Sequence, residues 1–204
     1  MATKKKQVKS GAARKSDGVV KVALLGFGTV GSSVAKVLAE RKFAGIELTP
    51  VYNRSVARKK ESAVAKYVPA TAVWTENIDD VLKSNVEVVI ELMGGLNPVE
   101  GWLKKALASG KHVVTANKQL IAYRGVALQR LAAQHGVQLV YGAAVAGGVP
   151  VIPGIRQGLG GDKVVRLSGI VNGTCNYILS RMESGADYAT VLKDAVNQPS
   201  HADG

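Results

Sequence analysis

Cysteine is almost absent: the 204 residues contain one, Cys175. A single thiol excludes any intrachain disulfide and points to a reducing compartment, read here as the cytoplasm. Histidine is scarce, with three residues, and no Cys/His cluster at metal-ligand spacing occurs. Aromatics make up only 5% of the chain. No apolar run approaches the roughly 20 residues that a membrane helix needs. The N-terminus lacks the apolar core of a secretory signal. Acids are also few: 15 Asp and Glu stand against 27 Lys and Arg, a net charge of +12. That balance invites a nucleic-acid reading, but its distribution argues against one. Residues 1–18 hold six bases (Lys4, Lys5, Lys6, Lys9, Arg14, Lys15) against Asp17, a net of +5. Such a stretch, almost without apolar residues, is expected to be a disordered, solvated tail. Neither a specific nucleic acid nor a membrane is an expected partner.

What the chain does have is apolar residues, 47%, and 23 glycines set at the ends of predicted elements. Both suit an α/β protein. The rest of the chain is organised around Val22-Ala-Leu-Leu-Gly26-Phe27-Gly28-Thr29-Val30-Gly31. A strand, Val19 to Leu25, runs into a Gly-x-Gly-x-x-Gly turn and then a helix, Thr29 to Lys42. Val30, Val34, Val37 and Leu38 are expected on its buried face. Gly26 would permit the turn, Gly28 would let a pyrophosphate approach the backbone, and Gly31 would let helix and strand pack closely. The helix N-terminus would offer free N–H groups to the phosphates.

The second strand, Glu47 to Tyr52, ends where an NAD-binding fold places an acid for the ribose hydroxyls. This chain has Asn53-Arg54-Ser55 instead. An acid would repel a 2′-phosphate, whereas Arg54 can pair with one, aided by Arg58 and Lys59. NADP is therefore the expected cofactor, with NAD possible; a solvated basic helix face is the alternative. Further strands are expected at Val73-Trp74, Val86–Leu92, Lys111–Val114 and Val137–Tyr141. Helices are expected at Asn77–Lys83, capped by Asn77; from Asn97-Pro98, as N-cap and first helical residue, to Gly110; and from about Val126 to His135. Six strands alternating with helices predict a Rossmann-type, doubly wound parallel sheet over residues 19 to about 141.

Beyond it, Gly142 to Pro150 reads as a tight loop leaving the nucleotide domain. A broken helix over Val151–Gly160, a strand over Val164–Val171, a helix over Cys175–Glu183 and one capped by Asp187 should begin an α+β domain. Asn197 to Gly204 carries no secondary-structure signal. Gly94, Gly95, Thr115, Asn117 and Lys118 fall at C-terminal strand ends, where open α/β sheets bind ligands. Lys118 there can orient a carbonyl or hold a carboxylate, or be a surface lysine at a helix start. Cys175 near a helix start is a conceivable nucleophile. With no paired histidine, a small buried residue is the reading preferred.

The motif set resembles homoserine dehydrogenase. The matching stretches are Val22–Gly31, Val88–Gly95, Lys111–Lys118 with Leu120-Ile-Ala122, Ala143–Pro150 and Gly169–Leu179. The Thr115-Ala-Asn-Lys118 and Ile170-Val-Asn-Gly-Thr174 blocks are the specific ones. The resemblance implies NAD(P)H-dependent reduction of L-aspartate 4-semialdehyde to L-homoserine, within threonine, methionine and isoleucine biosynthesis. It implies Lys118 beside nicotinamide and substrate, and Thr115 at the cofactor. It also implies a monovalent cation, usually sodium, held by carbonyls at Gly142, Val145, Gly147 and Val149. The family usually has Glu where this chain has Gly142.

The resemblance gives three regions: a tail over 1–18, an NAD(P)-binding domain over 19–150, and an incomplete catalytic domain over 151–204. In the family a loop with a substrate-binding glutamate follows, then an aspartate and a proton-donating lysine. Ala195–Gly204 only faintly resembles that loop. A truncated product that binds cofactor better than it catalyses is expected, and a homodimer for the intact parent. The rivals are an inactive NADP-binding fragment and a semialdehyde dehydrogenase that acylates Cys175.

Overall fold

The central strands carry apolar residues toward both faces, Val22–Leu25 and Val88–Ile90 among them, as sheets covered on both sides require. The structure is a computed structural model that describes residues 18–169 and 172–197. The basic tail through residue 17 and the chain end from 198 lie outside the described residues. The chain divides into two compact units, residues 1–144 and 145–204. The break lies inside the expected exit loop.

In the first unit the elements are β1 (Val20–Leu25), α1 (Thr29–Arg41), β2 (Ile46–Tyr52), α2 (Val56–Lys60), β3 (Val73–Thr75), α3 (Ile78–Leu82), β4 (Val88–Glu91), α4 (Val99–Ala108), β5 (His112–Thr115), α5 (Lys118–Gln134) and β6 (Leu139–Val140). The six strands lie in the order β3-β2-β1-β4-β5-β6, all parallel. This is the predicted doubly wound sheet. Its order reverses between β1 and β4, which opens a crevice at the strand C-termini.

β1 shows how the two faces are filled. Ala23 and Leu25 join a core with Val89, Val113, Leu103, Leu107, Leu120 and Leu128, from the sheet and α4–α5. Val22 and Leu24 join the opposite core with Phe27, Ala35, Leu48 and Val51, under α1. The alternation is the period-2 geometry of a strand buried on both sides.

Several boundaries differ from expectation for readable reasons. In α1, Gly31 and Ala35 are the buried residues, while Val30 and Val37 are exposed. Val34 and Leu38 of the expected stripe are partly buried against the core, so the inward face is centred on Gly31 and Ala35 and leaves Val30 and Val37 at its margins. Pro98 is the N-cap of α4 and Asn97 lies one residue earlier; with ψ of 6° Pro98 is not yet helical. α5 begins at Lys118, two turns before the expected start. Asn117 caps it by accepting from Leu120 N–H at 3.0 Å. Gly125 lies inside this helix, buried, where a Cβ would meet Ile121 at 3.3 Å. It does not interrupt the helix.

In the second unit a short helical segment, α6 (Val151–Pro153), continues as a wide π-type turn over Gly154–Gly158. α7 (Gly173–Glu183) and α8 (Tyr188–Asn197) pack on each other. Asn172 Oδ1 accepts from Cys175 N–H, and Asp187 Oδ1 accepts from Ala189 and Thr190 N–H. Both are N-caps, Asp187 as the sequence predicts and Asn172 beyond what it predicts. The strand expected over Val164–Val171 is not formed: residues 164–168 have no regular structure, and 170–171 lie outside the described residues. A strand needs a neighbour to take its N–H and C=O groups. No other strand is described in this unit.

Candidate functional site

The glycine turn is shaped by three different demands. Gly26 has φ of +99°, and a Cβ there would lie 2.9 Å from Met93 Cγ and 3.1 Å from Leu92 O. Both the conformation and the wall of β4 require glycine. At Gly31 a Cβ would lie 2.1 Å from Gly26 O, so α1 leaves the turn in backbone contact. Gly28 is different. A Cβ there would meet no atom within 4 Å, and the residue is exposed. Nothing inside the protein demands a glycine at 28, and the face above it is open.

α1 starts at this point. Its N-cap, Gly28, makes no side-chain cap hydrogen bond, and its first turn holds no acid. Ser32 and Ser33 turn their hydroxyls back to Thr29 O, at 3.1 and 2.8 Å. The positive end of the helix dipole therefore faces the crevice without a carboxylate to neutralise it.

Around the turn, Thr29, Val30 and Arg54 are exposed, whereas Gly26, Phe27 and Gly31 are buried. The Phe27 ring stands edge-on to Trp74, centroids 4.9 Å apart, and is a core group. Its side chain is thus withdrawn from any cofactor. The end of β2 is fixed by three bonds. Asn53 N–H donates to Thr75 O at 3.0 Å. Ser55 N–H donates to Asn53 Oδ1 at 3.0 Å. Val56 N–H donates to Glu76 Oε1 at 2.7 Å. Arg54 projects from this loop, and Arg58, Lys59 and Lys60 follow in α2. Glu76 had no readable signal in the sequence, because its partner lies twenty residues away.

Across the switch point, the ends of β4 and β5 are tied together by Glu91, which is fully buried. Its Oε1 accepts from Met93 N–H at 2.8 Å and Gly94 N–H at 3.1 Å. Its Oε2 accepts from the Thr115 hydroxyl at 2.5 Å. That hydroxyl accepts in turn from Asn117 N–H at 3.0 Å, and Asn117 Nδ2 donates to Gly95 O at 2.6 Å. Thr115 is likewise fully buried. Its hydroxyl is committed inward, to Glu91 and Asn117. Lys118, next after Asn117, is exposed at the start of α5.

His112 sits at the opposite strand end, where Nδ1 accepts from Gln138 N–H at 3.1 Å. Cys175 is exposed, which corrects the expectation of a buried residue. It lies in the first turn of α7. Among the cation candidates, Gly142 belongs to the first unit and Val145, Gly147 and Val149 to the second. Within the second unit Val149 N–H donates to Ala146 O at 3.1 Å, and Val149 O accepts from Val151 N–H at 2.8 Å. Among the described residues no group of three or more His, Cys, Asp or Glu side chains could hold a metal, and no helix is long and apolar enough to cross a membrane.

Comparison with known proteins agrees with this geometry. A family model for the homoserine dehydrogenase NAD-binding domain matches residues 26–142. A second, for homoserine dehydrogenase, matches residues 150–200. The homoserine dehydrogenase of Synechocystis is 41% identical over 182 residues, covering 86% of this chain and 41% of the relative. That of Bacillus subtilis is 38% identical over 184 residues, covering 86% and 42%. The crystal structure of a homoserine dehydrogenase from Thiobacillus denitrificans superposes with a TM-score of 0.75 at 40% identity, covering 87% of this chain and 42% of that one. A hyperthermophilic archaeal homoserine dehydrogenase in complex with NADPH gives 0.71 at 25% identity, covering 87% and 60%. The chain thus spans about two fifths of the length of the curated relatives. With its matched domain, strand order and glycine turn, the chain belongs to the homoserine dehydrogenase family.

Proposed function

We propose that these residues form the cofactor-binding part of an NADP-dependent homoserine dehydrogenase, which interconverts L-aspartate 4-semialdehyde and L-homoserine. The observation that carries the cofactor half is the open face above Gly28 at the uncapped start of α1, with Arg54 on the adjoining loop. The N–H groups of α1 hold the pyrophosphate. The Arg54 guanidinium takes the 2′-phosphate in place of the acid that would repel it. NADPH bound to an archaeal relative of the same fold supports the cofactor class.

Lys118 starts α5 two strands from β1, about 10 Å away at the usual strand spacing. There it orients the semialdehyde carbonyl and favours the alkoxide by its positive charge. The nicotinamide supplies the hydride when bound. The buried Thr115 and Asn117 hold the loop from which Lys118 projects. A monovalent cation at the carbonyls of Gly142, Val145, Gly147 and Val149 is proposed from the sequence resemblance alone, as is a homodimer for the whole protein. A cytoplasmic location follows from the reaction class and the single thiol.

The test is paired. Purified chain is titrated with NADPH, then mixed with L-homoserine and NADP while reduced nicotinamide is followed by absorbance. NADPH binding that survives Lys118→Ala, with turnover that does not, supports the reading. Absence of NADPH binding by the wild type overturns it.

A further inference from the structure

We propose that Glu91 is a positioning residue: it sets the ends of β4 and β5 in register and so holds the half of the crevice beyond the pyrophosphate. The proposal rests on the cofactor reading above. Three features point to it. Glu91 is fully buried and has no ion-pair partner among the described residues. A buried carboxylate of this kind is a poor way to stabilise a core, where an apolar residue of similar volume often does better. Yet every bond it makes ends at the crevice. One oxygen gathers Met93 and Gly94 N–H, and the other holds Thr115, which holds Asn117 N–H. Asn117 closes the loop onto Gly95 O. The carboxylate is thus the hub between the Gly94-Gly95 backbone and the residue before Lys118.

The chemistry of the hub is directional. A carboxylate only accepts, so the Thr115 hydroxyl must donate to it and is left to accept from Asn117 N–H. In Glu91→Gln one side becomes an N–H donor. The acceptor for Met93 and Gly94 can survive, but the hydroxyl of Thr115 loses its acceptor. Thr115→Val cuts the same link from the other side and leaves Asn117 N–H unsatisfied. Thr115→Ser keeps the hydroxyl.

The consequence is confined to one half of the cofactor. Glu91 lies at the β4–β5 side of the switch point, while the adenosine half lies over β1, β2 and β3. The probes are therefore NADPH and adenosine 2′,5′-bisphosphate, measured by calorimetry on the same chain. Glu91→Gln is expected to weaken NADPH about tenfold, the scale of a lost hydrogen bond to a charged group, and to leave adenosine 2′,5′-bisphosphate within about twofold. Thr115→Val, which also strands Asn117 N–H, should weaken NADPH at least as much, and the double variant should lose no more than Thr115→Val alone. Thr115→Ser should bind NADPH as the wild type does. Should Glu91→Gln fail to fold, the contrast of Thr115→Val with Thr115→Ser carries the same test. Parallel weakening of both ligands would mark a merely structural role and overturn the proposal, as would wild-type NADPH affinity in Glu91→Gln or in Thr115→Val. A wild-type chain that binds neither probe overturns the cofactor reading and this proposal with it.

Discussion

Gly28 and Gly31 stand three residues apart in one motif, yet alanine at each should do opposite things. At Gly31 the new Cβ would lie 2.1 Å from Gly26 O, and real Cβ atoms essentially never come within 3.0 Å of such an atom, so something must move by about 0.9 Å. The turn cannot yield easily. Gly26 N–H is bonded to Tyr52 O at 2.9 Å, and Gly26 itself is pressed against Met93 and Leu92. α1 must therefore move, against its own packing through Ala35. Overpacking of this kind costs about 1–3 kcal/mol. For a chain of this size that lowers Tm by roughly 2–10 °C. At Gly28 the Cβ enters open space, and φ of −88° is ordinary for any residue. Alanine there should change the stability of the ligand-free chain by less than about 1 kcal/mol, because the gain through the unfolded state offsets alanine's poorer N-capping. The methyl group occupies the place of the pyrophosphate, so NADPH should bind at least about tenfold more weakly, or about 1.4 kcal/mol. Circular dichroism melts without ligand, beside calorimetric titrations with NADPH, separate the two effects. A Gly28→Ala chain that melts as low as Gly31→Ala, or that binds NADPH like the wild type, would refute the reasoning. So would a Gly31→Ala chain with unchanged Tm.

Two further outcomes follow from side chains away from the turn. Glu100 joins α4 to α5: it accepts from Lys104 Nζ at 2.5 Å and from Arg124 Nε at 3.1 Å. Lys104 first and Arg124 second hold its carboxyl below the usual range. A carboxyl whose value is lowered by folding adds stability above its unfolded value, about 4.3, and loses it as the pH falls through the folded one. Stability measured by denaturant should therefore fall on acidification below about pH 5, and Glu100→Gln should flatten that slope; an unchanged slope would refute the pairing. Cys175 is exposed and its backbone N–H is the group engaged, with Asn172 Oδ1. The native chain should be alkylated readily there, and Cys175→Ala should keep both NADPH binding and any turnover with homoserine. Lost turnover in that variant would restore the acylating rival.

Local chemistry made much of this molecule legible. The β1–turn–α1 unit is written in Gly26, Gly28 and Gly31, each with its own steric reason. Asn77 and Asp187 could be read as caps because a short side chain bonds backbone only two or three residues away. The parallel sheet was legible from apolar runs between helices. What escaped depends on distant partners. The Val164–Val171 run has strand chemistry, but its described residues find no neighbour. Two of the α1 valines, Val30 and Val37, end exposed, while Val34 and Leu38 pack as expected. Glu91 reads as the polar end of a strand, and only folding brings Thr115 and Asn117, more than twenty residues later, to its carboxylate. In the same way the engagement of the Thr115 hydroxyl by Glu91 could not be read before folding.

The central claim is that the end of β2 reads a 2′-phosphate through Arg54, above a glycine turn that holds the pyrophosphate. Calorimetric Kd values for NADPH and NADH on the wild type and on Arg54→Ala test it directly. The account predicts tighter NADPH binding in the wild type, by about 10–100-fold, the worth of a charge-assisted hydrogen bond pair. It predicts that Arg54→Ala removes that preference while leaving NADH affinity unchanged. Equal or tighter NADH binding in the wild type, or a preference for NADPH that persists in Arg54→Ala, would contradict it.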